Sequence, residues 1–246
     1  MTDNAYQSFT MAEINMSTII IYILCFKADI CQLVLRAVEL GQRSVLAHIQ
    51  RLAVAEQGGM IGAAVYKVVG KGTEAMAEMK AGKKLDILTG LGNGFTAKEG
   101  SVRPLVIGGG VGAPPMYGVA KHLVAKGAKP IVILGFTSKD DVFYEEEFKA
   151  LGCDVYVTTN DGSYGTKGFV TDVIKTLEGY DYFYTCGPLP MLKAVSDATE
   201  CSGQLSFEER MGCGFGGCMG CSCKTLTGNK RICTEGPVLL KEEIIW

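Results

Sequence analysis

The stretch that decides the fold reads Cys213-Gly-Phe-Gly-Gly-Cys218-Met-Gly-Cys221, and Cys233 follows it, which gives the spacing C-x4-C-x2-C-x11-C. A cluster of two irons and two sulfides needs four thiolates, and C-x4-C-x2-C…C is a spacing typical of [2Fe–2S] sites. Glycines within the loop allow the backbone to wrap closely and to direct amide N–H groups at the sulfurs. The sequence therefore predicts that Cys213, Cys218, Cys221 and Cys233 hold a [2Fe–2S] cluster.

A structural zinc site is the alternative for these cysteines. Zinc is usually bound by paired C-x2-C knuckles or by mixtures of Cys and His. The two histidines, His48 and His122, are both remote from the loop in sequence. The spacing therefore favours an iron–sulfur cluster over zinc.

Composition narrows the class of protein. The chain has 246 residues, enough for one large or two ordinary domains, and 48% hydrophobic with 20% charged residues is ordinary for a globular protein. A formal net charge of −2 provides no electrostatic footprint for nucleic acid or an anionic membrane. Ten cysteines, four of them in a metal-like array, indicate a reducing compartment rather than a disulfide scaffold. A cytoplasmic location is expected.

An apolar run at residues 19–26 is too short to span a bilayer, and it follows Asp3 and Glu13 rather than a basic segment. We interpret residues 17–26 as a buried strand, and we expect neither a signal peptide nor a membrane span.

Residues 63–69 form a β-branched run that predicts a strand, and Gly70-Lys-Gly-Thr73 follows it. Thr73 is a suitable N-cap for a short helix over residues 74–80. Such a turn can bind a phosphate or pyrophosphate, although a purely structural turn explains it equally well. An all-β domain to about residue 100 fits this part of the chain, with residues 98–101 as the linker.

From Val102 the pattern alternates between strands and helices, which predicts a half-Rossmann parallel sheet with its ligand at the carboxyl ends of the strands. Gly108-Gly-Gly-Val-Gly-Ala-Pro-Pro115 satisfies the loose dinucleotide fingerprint G-x-G-x-x-A. The acidic residue expected after the second strand is replaced by Thr137 and Ser138, so ribose recognition must differ. Strands are predicted at 104–107, 130–136, 154–159 and 182–186, and helices up to 126 and at 144–151, 169–177 and 191–198.

Several motifs stand in a fixed order along residues 61–246. They are Val68-Val-Gly-Lys-Gly-Thr73, Leu91-Gly-Asn-Gly-Phe95, the glycine turn at 108–115, Cys186-Gly-Pro-Leu-Pro-Met191, and the cysteine loop closing with Arg231-Ile-Cys-Thr-Glu-Gly-Pro237. In this order they resemble the electron-transfer subunits of class B dihydroorotate dehydrogenase, which belong to the ferredoxin-reductase superfamily.

This resemblance implies a β-barrel that binds FAD (residues 1–100), an α/β domain that binds NAD (101–203) and a C-terminal [2Fe–2S] lobe (204–246). By motif match, one group of residues would contact FAD and another would line the nicotinamide nucleotide pocket. The FAD group is Val65, Tyr66, Lys67, Gly72 and Thr73, and the nucleotide group is Gly109, Gly110, Val111, Gly112, Ala113, Gly187 and Pro188. Cys223 would be a neighbour of the cluster rather than a ligand.

The first sixty residues depart from the family pattern. The flavin motif Arg-Pro-x-Ser/Thr of the family does not occur there, and Arg51-Leu-Ala-Val54 is a poor substitute for it. The motif therefore does not specify how residues 1–60 would bind FAD.

The resemblance also implies a reaction and partners. NADH would reduce FAD, and electrons would pass singly through the cluster to an FMN-containing dihydroorotate dehydrogenase catalytic subunit of pyrimidine biosynthesis, in a heterotetramer with two copies of each subunit. We expect Cys186 to be the side chain nearest the reacting atoms, although a buried thiol in a tight turn has equal weight. Met211, Phe215 and Met219 would form the docking face. The alternatives are the small subunit of another flavin and iron–sulfur NAD(P)H:ferredoxin oxidoreductase, and a non-catalytic zinc-binding module.

Overall fold

Short apolar runs rich in β-branched residues form the centre of a parallel sheet in the computed structural model, which describes residues 49–56, 59–68, 74–75, 77–78 and 92–246. The two central strands, Leu105–Gly109 and Ile131–Phe136, are almost completely buried, as expected when both faces of a sheet are covered. The strands in chain order are β1 (Ile49–Glu56), β2 (Gly59–Lys67), β3 (Leu105–Gly109), β4 (Ile131–Phe136), β5 (Asp154–Thr159), β6 (Thr166–Lys167), β7 (Phe183–Cys186), β8 (Gly203–Ser206), β9 (Ser222–Thr225), β10 (Gly228–Arg231) and β11 (Val238–Leu240).

Within the described residues, seven strands make one sheet in the order β11-β8-β7-β3-β4-β5-β6. The strands from β8 to β6 are parallel to one another, and β11 pairs antiparallel with β8. The predicted alternation of strands and helices is confirmed, and the ends of the four predicted strands differ from the observed ones by two residues at most.

Helices cover both faces of this sheet because alternate side chains of each strand point to opposite sides. The helices are α1 (Ala113–Ala125), α2 (Glu145–Ala150), α3 (Val170–Ile174) and α4 (Leu189–Ala198). Met116 of α1 and Phe148 of α2 pack with Val106 on one face. Ile107 belongs to the opposite face, where α3 and α4 pack. None of the described helices combines the length and apolar character needed to cross a lipid bilayer.

The strands β1 and β2 form an antiparallel hairpin with Ile49 opposite Lys67. Residues 63–67 of the predicted strand 63–69 lie in β2. Glu74, Ala75 and Ala77 are helical, as predicted for the start of residues 74–80. The predicted strand at 17–26 and the turn at 70–73 lie outside the described residues.

The segment at residues 92–98, which leads into the predicted linker at 98–101, is fixed to the sheet by side chains of β7 and β8. The side-chain amide of Gln204 pairs with the backbone of Thr96: it accepts from the Thr96 N–H at 2.8 Å and donates to the Thr96 carbonyl at 2.7 Å. The Lys98 N–H donates to the Tyr184 hydroxyl at 2.7 Å. The chain therefore enters β3 along a defined path.

The cysteine segment, residues 207–237, leaves the sheet after β8 and returns to it as β11. At its base the Phe207 N–H donates to the Pro237 carbonyl at 2.8 Å. Within the segment β9 and β10 form an antiparallel hairpin. The division into domains at residues 100 and 203 stays a prediction.

Candidate cluster and nucleotide sites

The cysteine segment brings its four predicted ligands to one end of the β9–β10 hairpin. Cys221 immediately precedes β9 and Cys233 follows β10, and the Ile232 N–H donates to the Cys221 carbonyl at 3.1 Å. Cys221 and Cys233 are buried, Cys213 is half-buried and Cys218 is exposed. Two thiols of the set therefore face the protein interior and two face the loop surface.

Backbone amides of the loop point at sulfur. The Cys218 N–H donates to the Cys213 Sγ at 3.3 Å, and the Gly220 N–H donates to the Cys218 Sγ at 3.4 Å. Gly214 and Gly216 adopt φ of +77° and +88°, a conformation that glycine reaches without steric cost. The loop thus has the amide-to-sulfur contacts that glycines were predicted to allow.

These backbone N–H groups lower the pKa of Cys213, the first of the four predicted ligands. The N–H of Cys218, and next that of Phe215, lower the pKa of Cys213 to about 6. Burial, followed by the hydrogen bond with the Cys221 thiol, raises the pKa of Cys233. A thiol must lose its proton to bind a metal, so the lowered pKa favours metal binding by Cys213 at neutral pH.

Contacts between the cysteines join them in pairs. Cys213 and Cys218 interact at one side of the loop, and Cys221 and Cys233 interact beside the hairpin. Among the described residues, no three His, Cys, Asp or Glu side chains already surround a point suited to a single metal ion. Four thiols on one segment match the number of ligands that a [2Fe–2S] cluster needs.

The turn between β3 and α1 has no room for side chains. Gly110–Gly112 forms a single 3-10 turn before α1 begins at Ala113. A Cβ atom on Gly108 would lie 2.9 Å from the Ala113 Cα, and one on Gly112 would lie 2.1 Å from the Cys186 carbonyl oxygen. The glycines therefore allow the strand, the helix and the end of β7 to approach one another closely.

The structure brings the two predicted nucleotide motifs together. A Cβ atom on Gly187 would lie 3.3 Å from the Gly109 Cα, and the Met191 side chain lies next to both glycines. The exposed Pro188 leads into α4. The residues from Gly109 to Ala113 thus form one surface with Gly187 and Pro188, at the carboxyl ends of β3 and β7, where an open α/β sheet binds its ligand. Their contact with a nucleotide stays a prediction.

Cys186 lies at the carboxyl end of β7 and is completely buried. Burial raises the pKa of its thiol to about 12, and the hydrogen bond with Ser206 opposes that shift. A pKa raised in this way keeps the thiol protonated at pH 7. Its predicted position nearest the reacting atoms stays a prediction.

The predicted FAD residues Val65, Tyr66 and Lys67 lie at the end of β2. This strand lies beside the Gly110–Gly112 turn, with Cα atoms of the two elements within 8 Å of one another. Gly72 and Thr73 lie outside the described residues. The predicted flavin strand thus adjoins the predicted nucleotide turn.

Sequence reasoning did not identify a role for Arg231 and Glu235. The Arg231 guanidinium binds both the Glu235 carboxylate and the Gly216 carbonyl in the middle of the loop. An arginine and a glutamate four residues apart, on either side of Cys233, were the feature of the sequence that could have predicted this ion pair.

Comparisons with known proteins agree with this arrangement. Residues 208–245 match the iron–sulfur cluster binding domain of dihydroorotate dehydrogenase B, and residues 106–197 match an oxidoreductase NAD-binding domain. The chain is 44% identical over 215 residues to the electron transfer subunit of dihydroorotate dehydrogenase B (NAD(+)) from Fusobacterium nucleatum, covering 83% of this chain and 82% of that protein. It is 48% identical over 186 residues to the subunit of the same name from Lysinibacillus sphaericus, covering 72% of each.

A solved structure with the same fold comes from work on flavin-based electron bifurcation by the NADH-dependent reduced ferredoxin-NADP oxidoreductase. It superposes with a TM-score of 0.69 at 30% sequence identity and covers 81% of this chain and 79% of the other. The predicted ferredoxin-reductase-like fold class is confirmed by this match.

Proposed function

This chain belongs to the family of electron-transfer subunits of dihydroorotate dehydrogenase B, and from that premise we propose that it passes electrons from NADH to a catalytic subunit that interconverts dihydroorotate and orotate. The observation that carries the proposal is the set of four cysteines with the spacing C-x4-C-x2-C-x11-C, on a segment that begins and ends in the sheet of the NAD-binding domain.

FAD and a [2Fe–2S] cluster, when bound, supply the conversion between the two-electron chemistry of NADH and single-electron transfer. The protein supplies position. The turn from Gly109 to Ala113, together with Gly187 and Pro188, would hold the nucleotide at the carboxyl ends of β3 and β7. Val65, Tyr66, Lys67, Gly72 and Thr73 would hold the flavin, because β2 adjoins that turn. Cys186 would border the nucleotide as a neutral thiol.

Cys213, Cys218, Cys221 and Cys233 would hold the cluster. Cys223 lies in β9 and is half-buried, and burial raises the pKa of its thiol. Because it lies outside the spacing C-x4-C-x2-C-x11-C, it remains our choice for a neighbour of the cluster rather than a ligand.

The proposed partner is an FMN-containing catalytic subunit, in a heterotetramer with two copies of each chain. Met211, Phe215 and Met219 are exposed to 47%, 62% and 53% on the loop that carries Cys213 and Cys218. An apolar surface beside an exposed ligand suits a docking face across which an electron leaves. We further propose a cytoplasmic location and a division into domains at residues 1–100, 101–203 and 204–246.

The test is to purify the chain together with the polypeptide that accompanies it and to assay NADH-dependent reduction of orotate. We expect activity with both subunits and none with either alone. A preparation that reduces ferredoxin with NADH or NADPH but leaves orotate unchanged would support the ferredoxin oxidoreductase alternative. A colourless preparation that contains zinc would support the zinc module.

A further inference from the structure

Arg231 connects two parts of the cysteine segment. Its Nη1 donates to the Gly216 carbonyl at 3.0 Å. Its Nε lies 3.1 Å and 2.9 Å from the two carboxylate oxygens of Glu235, and its Nη2 donates to the same carboxylate. One edge of the guanidinium thus faces the loop, while the other forms a bidentate ion pair.

Glu235 is itself held in place by its own turn. Its carboxylate accepts from the Arg231 backbone N–H at 2.7 Å and from the Thr234 hydroxyl at 2.9 Å. The ion pair is therefore tied to the backbone at both of its residues, unlike a surface pair between two free side chains.

The ion pair between Arg231 and Glu235 lies where the loop that carries Cys213 and Cys218 meets the turn that carries Cys233. Gly216 lies between Cys213 and Cys218, whereas Arg231 precedes Cys233 by two positions. A Cβ atom on Gly216 would lie 2.8 Å from the Thr234 Cγ2, so the loop rests directly on the turn that carries Cys233. The bond from Arg231 to Gly216 consequently joins the three-cysteine loop to the fourth cysteine.

The guanidinium is also within electrostatic reach of the sulfurs. Its Nη1 contacts Gly216, which lies between Cys213 and Cys218, and Arg231 itself stands two positions before Cys233. The side chain is 33% exposed, so water screens its charge only in part.

We propose that Arg231 is a positioning residue that sets the register of the cysteine loop against Cys233 and makes the cluster easier to reduce, with Glu235 limiting that effect. The inference rests on the proposed function. Reduction adds one negative charge to a site that already holds four thiolates, and net charge is one of the factors that set cluster potentials. A fixed cation favours the reduced form, whereas a fixed anion favours the oxidised form.

Because Arg231 and Glu235 carry opposite charges, replacing each of them should shift the reduction potential of the cluster in opposite directions. Arg231→Gln removes the cation and leaves the carboxylate unpaired, so the cluster should become harder to reduce. Glu235→Gln leaves the cation uncompensated, so the cluster should become easier to reduce. A purely structural role would not move the potential in opposite directions.

The experiment is a redox titration of the full chain, purified without oxygen and followed by the electron paramagnetic resonance of the reduced cluster. For Arg231→Gln we expect about tenfold less reduced cluster at a fixed potential, which for one electron is a shift of about 59 mV to more negative values. For Glu235→Gln we expect about threefold more reduced cluster. Arg231→Lys should keep the potential close to that of the wild type but lose iron faster to a chelator, because lysine lacks the planar fork.

Arg103→Gln is the matched control. It makes the same change in charge just before the amino end of β3, where Arg103 donates to the Glu178 carbonyl. The cysteine segment lies at the opposite, carboxyl end of the strands. Its potential should equal that of the wild type.

Shifts of equal sign in Arg231→Gln and Glu235→Gln, or an Arg231→Gln potential equal to that of Arg103→Gln, would overturn the inference. If Arg231→Gln assembles no cluster, Glu235→Gln decides alone, and an unchanged potential overturns the inference. Wild-type chain without iron would instead overturn the proposed function itself.

Discussion

The central sheet and the cysteine segment are stabilised in different ways. Leu105, Ile133 and Phe183 of the sheet are completely buried, and helices cover both of its faces. The tip of the cysteine segment instead exposes Phe215 and Met219 and is shaped by amide-to-sulfur bonds and by positive φ angles. The difference teaches that the sheet derives its stability from apolar burial. We expect the tip of the segment to depend in addition on what its thiols bind, because metal binding and folding are coupled at such sites.

The largest expected effect comes from Cys221→Ser, which removes a buried cysteine that we propose as a ligand of the cluster. A neutral hydroxyl is a poor replacement for a thiolate, so we expect nearly all iron and visible absorption to be lost. Limited proteolysis should then cleave within residues 207–237, while the far-ultraviolet circular dichroism of the sheet is retained.

Cys223→Ser is the control for that substitution, since it makes the same chemical change two residues away. Its iron content should match that of the wild type. Loss of iron from Cys223→Ser alone would assign the fourth ligand differently.

A smaller effect, confined to the sheet, is expected from Gly112→Ala. The added methyl group would lie 2.1 Å from the Cys186 carbonyl oxygen, so the backbone must move. We expect a loss of about 1–3 kcal/mol in the free energy of unfolding, as for other overpacked sites, together with weaker binding of NADH.

Gly109→Ala provides the comparison for Gly112→Ala, because its methyl group would meet the flexible end of Met191 rather than backbone. Its free energy of unfolding, measured by denaturant titration, should fall less. Equal losses in the two variants would contradict the close backbone approach.

Asn93→Ala tests the connection between the two regions. The Asn93 side chain donates to the carbonyls of Glu235 and Val238 at 3.0 Å and 3.1 Å and accepts from the Val238 N–H at 3.0 Å. Losing these bonds should cost about 1–3 kcal/mol and should increase hydrogen exchange in residues 235–238. The exposed Asn229→Ala should leave both measurements unchanged, and an equal effect there would refute the assignment.

The smallest effect is a pH dependence at the entry to β3. Burial alone would raise the pKa of Asp181, but hydrogen bonds from the Ser101 hydroxyl and from the N–H groups of Val102 and Arg103 hold it below its usual value. A carboxylate with a lowered folded-state pKa stabilises the fold above its unfolded pKa, near 3.9, and this stabilisation is lost as the pH falls through the folded pKa.

Asp181→Asn should therefore lower the free energy of unfolding by less than about 1 kcal/mol at pH 7, because the group is exposed, and the difference from the wild type should shrink towards pH 3. If the difference in the free energy of unfolding between Asp181→Asn and the wild type grew as the pH falls, it would contradict a lowered pKa for Asp181.

The sequence predicted the parts of the fold that depend on strong local patterns. β4 and β5 follow apolar or β-branched runs bounded by turns, and their ends were placed within one residue. β8, by contrast, has the sequence Gly-Gln-Leu-Ser and was not predicted, because its burial comes from β7, β11 and the segment at Thr96 rather than from its own composition.

The candidate site shows the same division. Cysteine spacing identified the predicted ligands, since a cluster imposes that spacing on the chain. The role of Arg231 depends on a bond to Gly216, fifteen residues away in sequence, which no local pattern specifies. The contact between Gly112 and Cys186 likewise requires the order of strands β7 and β3, which the sequence does not state.

The most direct test of the central claim is the content of iron and acid-labile sulfide in the full chain purified without oxygen. We predict about two iron atoms and two sulfides for each chain, with one flavin alongside them. A single zinc ion for each chain, without labile sulfide, would contradict the account.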